Sequence, residues 1–212
     1  MKDPREIEIL HITHIRNLPS IIANGGLYCD NERIKRAINN LTIAHQNIKD
    51  RRARRIVPVA AGGTVADYVP FYFAPRSPML YAIHHGKVAN YQDGQEKIIY
   101  LVSDIGKACH CGNAWCFTDG HAEMNMSAFY DDLGQIDQIN WGVIKGKYWH
   151  DTPAQPDRKR QRQAEFLVHN SFPWNQVAAI GVMNQAMADN VAAVIPDGEY
   201  QPRIVVKSAW YC

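Results

Sequence analysis

Ile7, Ile9 and Ile12 punctuate an extended opening segment and predict a first strand. Leu18, Ile21 and Ile22 then fall on one side of a short helix with Asn17 as its cap and Pro19 in its first turn, and Gly25-Gly26 ends it. Ile34, Ile38, Leu41 and Ile48 mark one stripe of a longer helix, read as packing surface, that runs into a group of basic residues before Gly62-Gly63 breaks the chain. Val69 to Phe73 and Ile98 to Val102 read as strands, with a short helix over Met79 to His84 between them, and Phe117 to His121 as a strand end leading into irregular chain. In Glu165-Phe166-Leu167-Val168, Phe166 and Val168 alternate with Glu165 and Leu167, which predicts a strand that presents the carboxylate on one face. Ala178 to Met183 and Arg203 to Val206 complete the strands. The mixed order, with no glycine-rich turn of the dinucleotide type after the first strand, predicts α+β architecture rather than a doubly wound sheet.

With 212 residues, 46% of them apolar and 21% charged, the chain reads as one globular domain, 1–212. No run approaches the roughly 18 apolar residues of a membrane helix. The charged opening Met1-Lys2-Asp3-Pro4-Arg5 also lacks the apolar stretch of a signal peptide, so a cytoplasmic protein without membrane contact is expected. The five cysteines are an odd number, and three crowd into Cys109-His110-Cys111-Gly112-Asn113-Ala114-Trp115-Cys116. A secreted disulfide framework is therefore not expected. Structural zinc wants two separated ligand pairs and no second pair follows, so these are read as free cysteines and no metal is expected.

Charge changes the picture once it is mapped. The net charge is only +2, but Lys49, Arg51, Arg52, Arg54 and Arg55 form one cluster and Arg158, Lys159, Arg160 and Arg162 another, leaving the rest acidic on balance. Concentrated basic patches fit phosphate contact, since phosphate neutralisation supplies most sequence-independent nucleic-acid affinity; a solvated charged face is the plainer alternative. Glu165 follows the second cluster directly. A carboxylate beside cations suggests chemistry on a polyanion, against the simpler reading of a surface glutamate paired with its arginines.

Taken together, His11-Ile12-Thr13-His14-Ile15-Arg16-Asn17-Leu18, Asn24-Gly25-Gly26-Leu27, Gly62-Gly63-Thr64 and Asp67-Tyr68-Val69-Pro70-Phe71-Tyr72-Phe73 form an ordered set. It continues through Ser77-Pro78-Met79-Leu80, Phe117-Thr118-Asp119-Gly120-His121 and Gln163-Ala164-Glu165. From about Leu10 to Tyr211 this set resembles the DarT family of bacterial toxins, which ADP-ribosylate thymine in single-stranded DNA. The resemblance implies an ADP-ribosyltransferase-like fold of two packed, mostly antiparallel sheets with peripheral helices. It implies NAD as co-substrate, single-stranded DNA as acceptor, a macrodomain antitoxin that removes the modification, and a monomer. At matching positions it implies that His14 contacts the adenosine half of NAD with Ile15, Arg16 and Asn17 nearby, and that Tyr72 lines the nicotinamide side. A stretch of about 36–54 containing Arg52 would be the NAD-binding element, and about 121–165 the loop that receives DNA.

Those residue types suit the chemistry that the resemblance implies. Loss of nicotinamide leaves positive charge on the ribose, so Glu165, holding the adjacent hydroxyl, stabilises the transition state selectively. The thymine ring nitrogen is a weak acid, comparable to tyrosine at a pKa of about 10. Arg52 is the family's candidate for assisting its deprotonation, by stabilising the anionic base and contacting NAD phosphate; His121 is a second, as base contact or proton relay. A paired thymine hides that nitrogen, so an unpaired base must be held, for which Tyr148 and its tryptophan neighbours supply planes and Arg158, Lys159 and Arg160 supply charge. Two further readings remain open at this point: a related NAD-dependent transferase acting on RNA or another base, and a nucleic-acid-binding module without catalysis.

Overall fold

The computed structural model describes residues 3–212; Met1 and Lys2, part of the charged opening, lie outside them. Among the described residues there are ten strands: β1 (Glu8–His14), β2 (Gly26–Tyr28), β3 (Tyr68–Tyr72), β4 (Ile98–Asp104), β5 (Trp115–Thr118), β6 (Phe129–Tyr130), β7 (Glu165–His169), β8 (Ser171–Pro173), β9 (Ala179–Val182) and β10 (Arg203–Val206). Eight form one sheet in the order β10-β9-β4-β1-β3-β7-β5-β6, antiparallel except where β10 runs parallel to β9. The remaining two, β2 and β8, make a small second sheet. The α+β class and the antiparallel bias are thus as expected, with the strands divided unequally between the two sheets.

Alternation along the strands fills both faces of the large sheet. Ile9, Ile99, Leu101, Val69, Phe71, Phe166 and Val168 belong to one apolar cluster, while Leu10, Ile12, Ile98, Tyr100 and Val102 belong to another. Burial of this kind contributes about 25 cal/mol for each Å² of apolar surface removed from water. In β4 every residue from Ile98 to Ser103 is buried, because both faces of this central strand are covered.

The described residues also form eight α-helices: α1 (Leu18–Ala23), α2 (Asp30–Lys35), α3 (Gln46–Arg52), α4 (Pro78–His84), α5 (Ile105–His110), α6 (Trp141–Lys145), α7 (Arg158–Gln161) and α8 (Gln185–Val194). None is long and apolar enough to cross a membrane among the described residues. The one long helix expected through Ile34, Ile38, Leu41 and Ile48 is instead two short helices joined by irregular chain. Ala37 takes a left-handed φ of 54° just after α2, and Ile34 is 73% exposed rather than packed. The reason lies in Asn17. It occupies the cap position of α1 but makes no capping hydrogen bond. Its side chain instead accepts the Leu41 backbone N–H at 2.7 Å and donates to the Leu41 carbonyl and to Thr13 Oγ1, each at 3.0 Å. Both backbone groups of Leu41 are thereby taken from any helix and tied to the end of β1.

The feature that matters most for a site is a parting in the large sheet. β1 pairs with β4 over seven registers but with β3 at one only, Leu10 opposite Tyr72. Pro70 explains the lapse. It sits inside β3 with its carbonyl accepting from the His11 ring at 2.8 Å, so its backbone faces β1 without an N–H to offer, and the ladder cannot continue there.

Candidate active site

A cavity of about 840 Å³ opens along this parting, within the size range of small-molecule sites. Its walls come from β1 and β3, the irregular chain after α2, α3 itself, and the segments around His121 and Lys159. Two groups stand out in its lining: Thr13, Asn17 and Leu41, joined by hydrogen bonds, and Tyr72, Arg52 and His121, gathered around Glu165.

Glu165 begins β7 directly opposite Tyr72. Its carboxylate is 1% exposed and is held on three sides. One terminal nitrogen of Arg52 donates to both oxygens, at 3.0 and 2.8 Å, and the Ala122 backbone N–H donates to Oε1 at 3.0 Å. His121 Nε2 stands 3.8 Å from the same oxygen. The Thr118–Ala122 turn that delivers these groups is locked from below, with Thr118 Oγ1 accepting the Glu165 backbone N–H and donating to the Gly120 carbonyl. The surface-glutamate reading is thereby excluded: this carboxylate is a buried group at the base of a cavity. Burial works against the Arg52 charge, but the adjoining Glu165 outweighs it and holds the guanidinium above its ordinary pKa. Burial also raises the Tyr72 phenol, with the Glu165 charge adding to it.

The two arginines at the end of α3 diverge. Arg52 reaches Glu165, whereas Arg51 forks onto Glu123 through Nε at 2.5 Å and a terminal nitrogen at 3.1 Å. Glu123 also faces His121 Nδ1 at 3.4 Å, and these partners, His121 first and Arg51 next, hold its carboxyl down at about 2 in spite of burial.

His14, Ile15 and Arg16 are not in the cavity wall. The His14 ring is fully buried against Tyr91, its Nδ1 accepts the Arg16 backbone N–H at 3.0 Å, and Nε2 has no hydrogen-bond partner. Burial lowers its pKa. Its influence on the cavity runs through the Ile15–Asn17 turn that it braces, while His11, two positions ahead of Thr13, is the β1 histidine that lines the cavity. Lys49, one turn before Arg52, also lines it, paired to Asp30 at 3.2 Å. Neither Asp30 nor Glu123 stood out in the sequence, although Glu123 follows His121 at a spacing of two.

The second basic cluster is not a uniform cationic surface. Arg160, expected to meet phosphate, is 8% exposed and is bound by Asp119 and Asp157, with Ser127 Oγ accepting at 3.1 Å. It packs so closely that a side chain at Gly120 would collide with its guanidinium. Arg160 therefore ties the Asp119–Ser127 segment to α7 from inside, a correction to its reading as a surface contact. Arg162 is likewise buried, donating to the carbonyls of Pro75, Val143, Ile144 and Gly146. Lys159 is exposed at the cavity rim, Arg158 is half-buried and donates to the Tyr148 carbonyl, and Tyr148 is 60% exposed. Trp141, in contrast, is half-buried and packs its ring against Phe73 at the edge of the core. All five cysteines are free, and no cluster of three or more potential metal ligands occurs among the described residues.

Residues 10–212 match the family model described as "ssDNA thymidine ADP-ribosyltransferase, DarT". A DNA ADP-ribosyl transferase of Thermus sp. (strain 2.9) is 39% identical over 211 residues, covering 98% of this chain and 97% of that protein. The structure of Thermus sp. 2.9 DarT in complex with ADP-ribosylated ssDNA is similar with a TM-score of 0.92 and 37% identity, over 100% of this chain and 99% of the other. Its complex with NAD+ gives 0.86 and 36%, over 99% of each chain. A DNA ADP-ribosyl transferase-DNA ADP-ribosyl glycohydrolase fusion protein of Thermosipho africanus is 28% identical over 195 residues, 91% of this chain and 46% of the fusion.

Proposed function

The chain belongs to the DarT family of single-stranded DNA thymidine ADP-ribosyltransferases, and from that premise we propose how its cleft carries out the transfer. The reaction moves ADP-ribose from NAD to thymine in single-stranded DNA. One observation carries the assignment of roles: Glu165, Arg52 and His121 converge at the base of the cavity that the parting of β1 from β3 leaves open.

The adenosine half of NAD would lie along Thr13, Asn17 and the loop that Asn17 pins, with His11 beside it. Residues 36–54 then act as the NAD-binding element, their loop as a wall and α3 as a carrier of charge. Lys49 and Arg52 face the cavity from one side of that helix, three residues apart, which suits a pyrophosphate. The nicotinamide ribose would sit over Tyr72 and Glu165. As its bond to nicotinamide lengthens, positive charge grows on the ribose beside a carboxylate that is buried, paired with Arg52 and fixed by Ala122. That stabilisation is stronger in the transition state than in the ground state, because the ground-state ribose carries less charge.

On the acceptor side, residues 121–165 would receive the strand. Lys159 at the rim and Tyr148 beyond it offer a cation and an exposed ring for phosphate and base. An enzyme of this kind damages its own cell's DNA unless the mark is removed. The Thermosipho africanus fusion of transferase with glycohydrolase supports a reversing partner, which we assign to a macrodomain antitoxin.

The test is direct. The protein is incubated with NAD and single-stranded oligonucleotides that each lack one base, and added mass is measured. The expected result is one ADP-ribose on every oligonucleotide except that without thymine. Any modification of the thymine-free strand would overturn the reading.

A further inference from the structure

The thymine ring nitrogen must lose its proton as it bonds to ribose, and the described residues of the cleft differ sharply in their capacity to take it. Arg52 is held protonated by Glu165. Glu165 is itself occupied by Arg52 and Ala122. The Tyr72 phenol keeps its proton, and His11, which donates its Nδ1 proton to Pro70 and so leaves Nε2 as an acceptor, is assigned above to the adenosine half of NAD rather than to the reacting carbon. His121 differs from all of these, since its Nε2 faces the Glu165 end of the cleft at 3.8 Å from Oε1, too long for a hydrogen bond.

What sets that ring is Glu123, a carboxylate only 9% exposed. It faces Nδ1 at 3.4 Å while Arg51 grips its oxygens from α3. A carboxylate on Nδ1 keeps the neutral imidazole's proton there and turns the Nε2 lone pair toward the cleft. We propose that Glu123 is the positioning residue that presents His121 Nε2 as acceptor of the thymine ring proton. The inference rests on the thymine-transfer reading above. In the step, the ring N–H proton passes to Nε2 and the nitrogen's electron pair forms the bond to the ribose anomeric carbon. The bond from that carbon to nicotinamide breaks, its pair leaving with neutral nicotinamide. The imidazolium formed lies between two carboxylates, Glu123 from its own loop and Glu165 from β7. Arg51 and Arg52 of α3 stand behind them, and the Arg160 carbonyl of α7 accepts the His121 backbone N–H at 3.0 Å.

The experiment compares the parent with Glu123→Gln, Glu123→Asp and Arg51→Gln, in single-turnover transfer from NAD to a thymine oligonucleotide at about pH 6 to 10. Glu123→Gln should lower the rate at neutral pH by about a hundredfold, with KM for NAD changed less than about threefold. Its rate should then recover by roughly tenfold per pH unit toward about 10, where the thymine ring ionises unaided. A merely structural lesion would show no such recovery. Glu123→Asp should restore most of the neutral-pH rate, and Arg51→Gln should lack the pH-dependent recovery whatever it does to KM. Nitrogen-15 NMR of the parent should find the neutral His121 proton on Nδ1, and of Glu123→Gln a mixture of tautomers. An unchanged rate in Glu123→Gln, a loss independent of pH, or the same profile in Arg51→Gln would overturn the proposal. If the parent left thymine unmodified at every pH, the functional reading would fail, and the tautomer measurement would still decide whether Glu123 positions His121.

Discussion

Glu165 and Arg52 form a buried pair whose members cannot be removed singly without consequence. Glu165→Gln preserves a neutral acceptor for Arg52 but loses the charge that faces the ribose, so turnover should collapse while the NAD dissociation constant stays within a few fold, as isothermal titration would read. Glu165→Ala should match that loss and also unfold earlier on heating, since an orphaned buried guanidinium costs about 3 kcal/mol or more. Equal stability of the two variants would contradict the pairing. Glu123 makes a prediction in pH. Its folded-state pKa is depressed, to about 2 against an ordinary 4.5, so its contribution is complete above 4.5 and is lost as pH falls toward 2. The stability gap between the parent and Glu123→Gln, read from urea midpoints, should therefore close across that acidic window. At this scale Glu165 was conspicuous as a carboxylate between a basic run and a strand, but those residues alone suited a surface ion pair equally, and it was the family pattern that singled it out. Arg52 was singled out among four arginines through the family pattern, and the structure pairs it with Glu165. His11 and Glu123 were not legible, because their roles depend on a proline carbonyl and an arginine that lie far away in sequence.

Among elements, the two basic clusters look alike in composition and differ in what they do. α3 turns its cations toward the cleft and its neighbour Glu123, whereas α7 sends Arg160 inward to Asp119 and Asp157. Sequence composition records charge but not burial, which is why Arg160 read as a DNA contact. Lys159→Gln should weaken single-stranded DNA binding and reduce its salt slope by about 0.7 logarithmic units for the lost phosphate contact, measured by fluorescence anisotropy across salt concentrations. Arg160→Gln should instead lower the melting temperature and act on DNA affinity only through disorder of the loop. A reversed pattern would return Arg160 to the DNA path. Most of the large sheet's strands were legible because Val, Ile and Phe crowd them, whereas β2, β6 and β8, at two or three residues each, are too short to show a period and were not expected. The helix expected over 34–48 failed because a side chain outside the window, Asn17, captures both backbone groups of Leu41.

For the molecule as a whole, the cavity exists because one ladder stops. Antiparallel neighbours ordinarily zip along their length, and Pro70 withholds the donor that would let β1 and β3 do so. Pro70→Val restores an N–H and should favour closure, with the His11 ring displaced. The expected outcome is a weaker affinity for NAD by several fold with the melting temperature unchanged or higher, read by titration and calorimetry; a variant that lost stability and kept its affinity would refute this account of the cleft. The α+β class followed from element order, yet the parting itself was not legible: Pro70 is visible in the sequence, but which neighbour it faces is a matter of register.

Successive residues on a helix point about 100° apart, and the last two of α3 use that angle to reach two carboxylates on different segments. One residue inserted or deleted between Lys49 and Arg52 would rotate the wrong side chain onto Glu165, and no adjustment of the loops could restore both contacts. Length changes among homologous chains should accordingly collect between 36 and 45 or beyond α3, never within it. The helix keeps its phase as a coding sequence keeps its reading frame, indifferent to many substitutions and intolerant of a single-step shift.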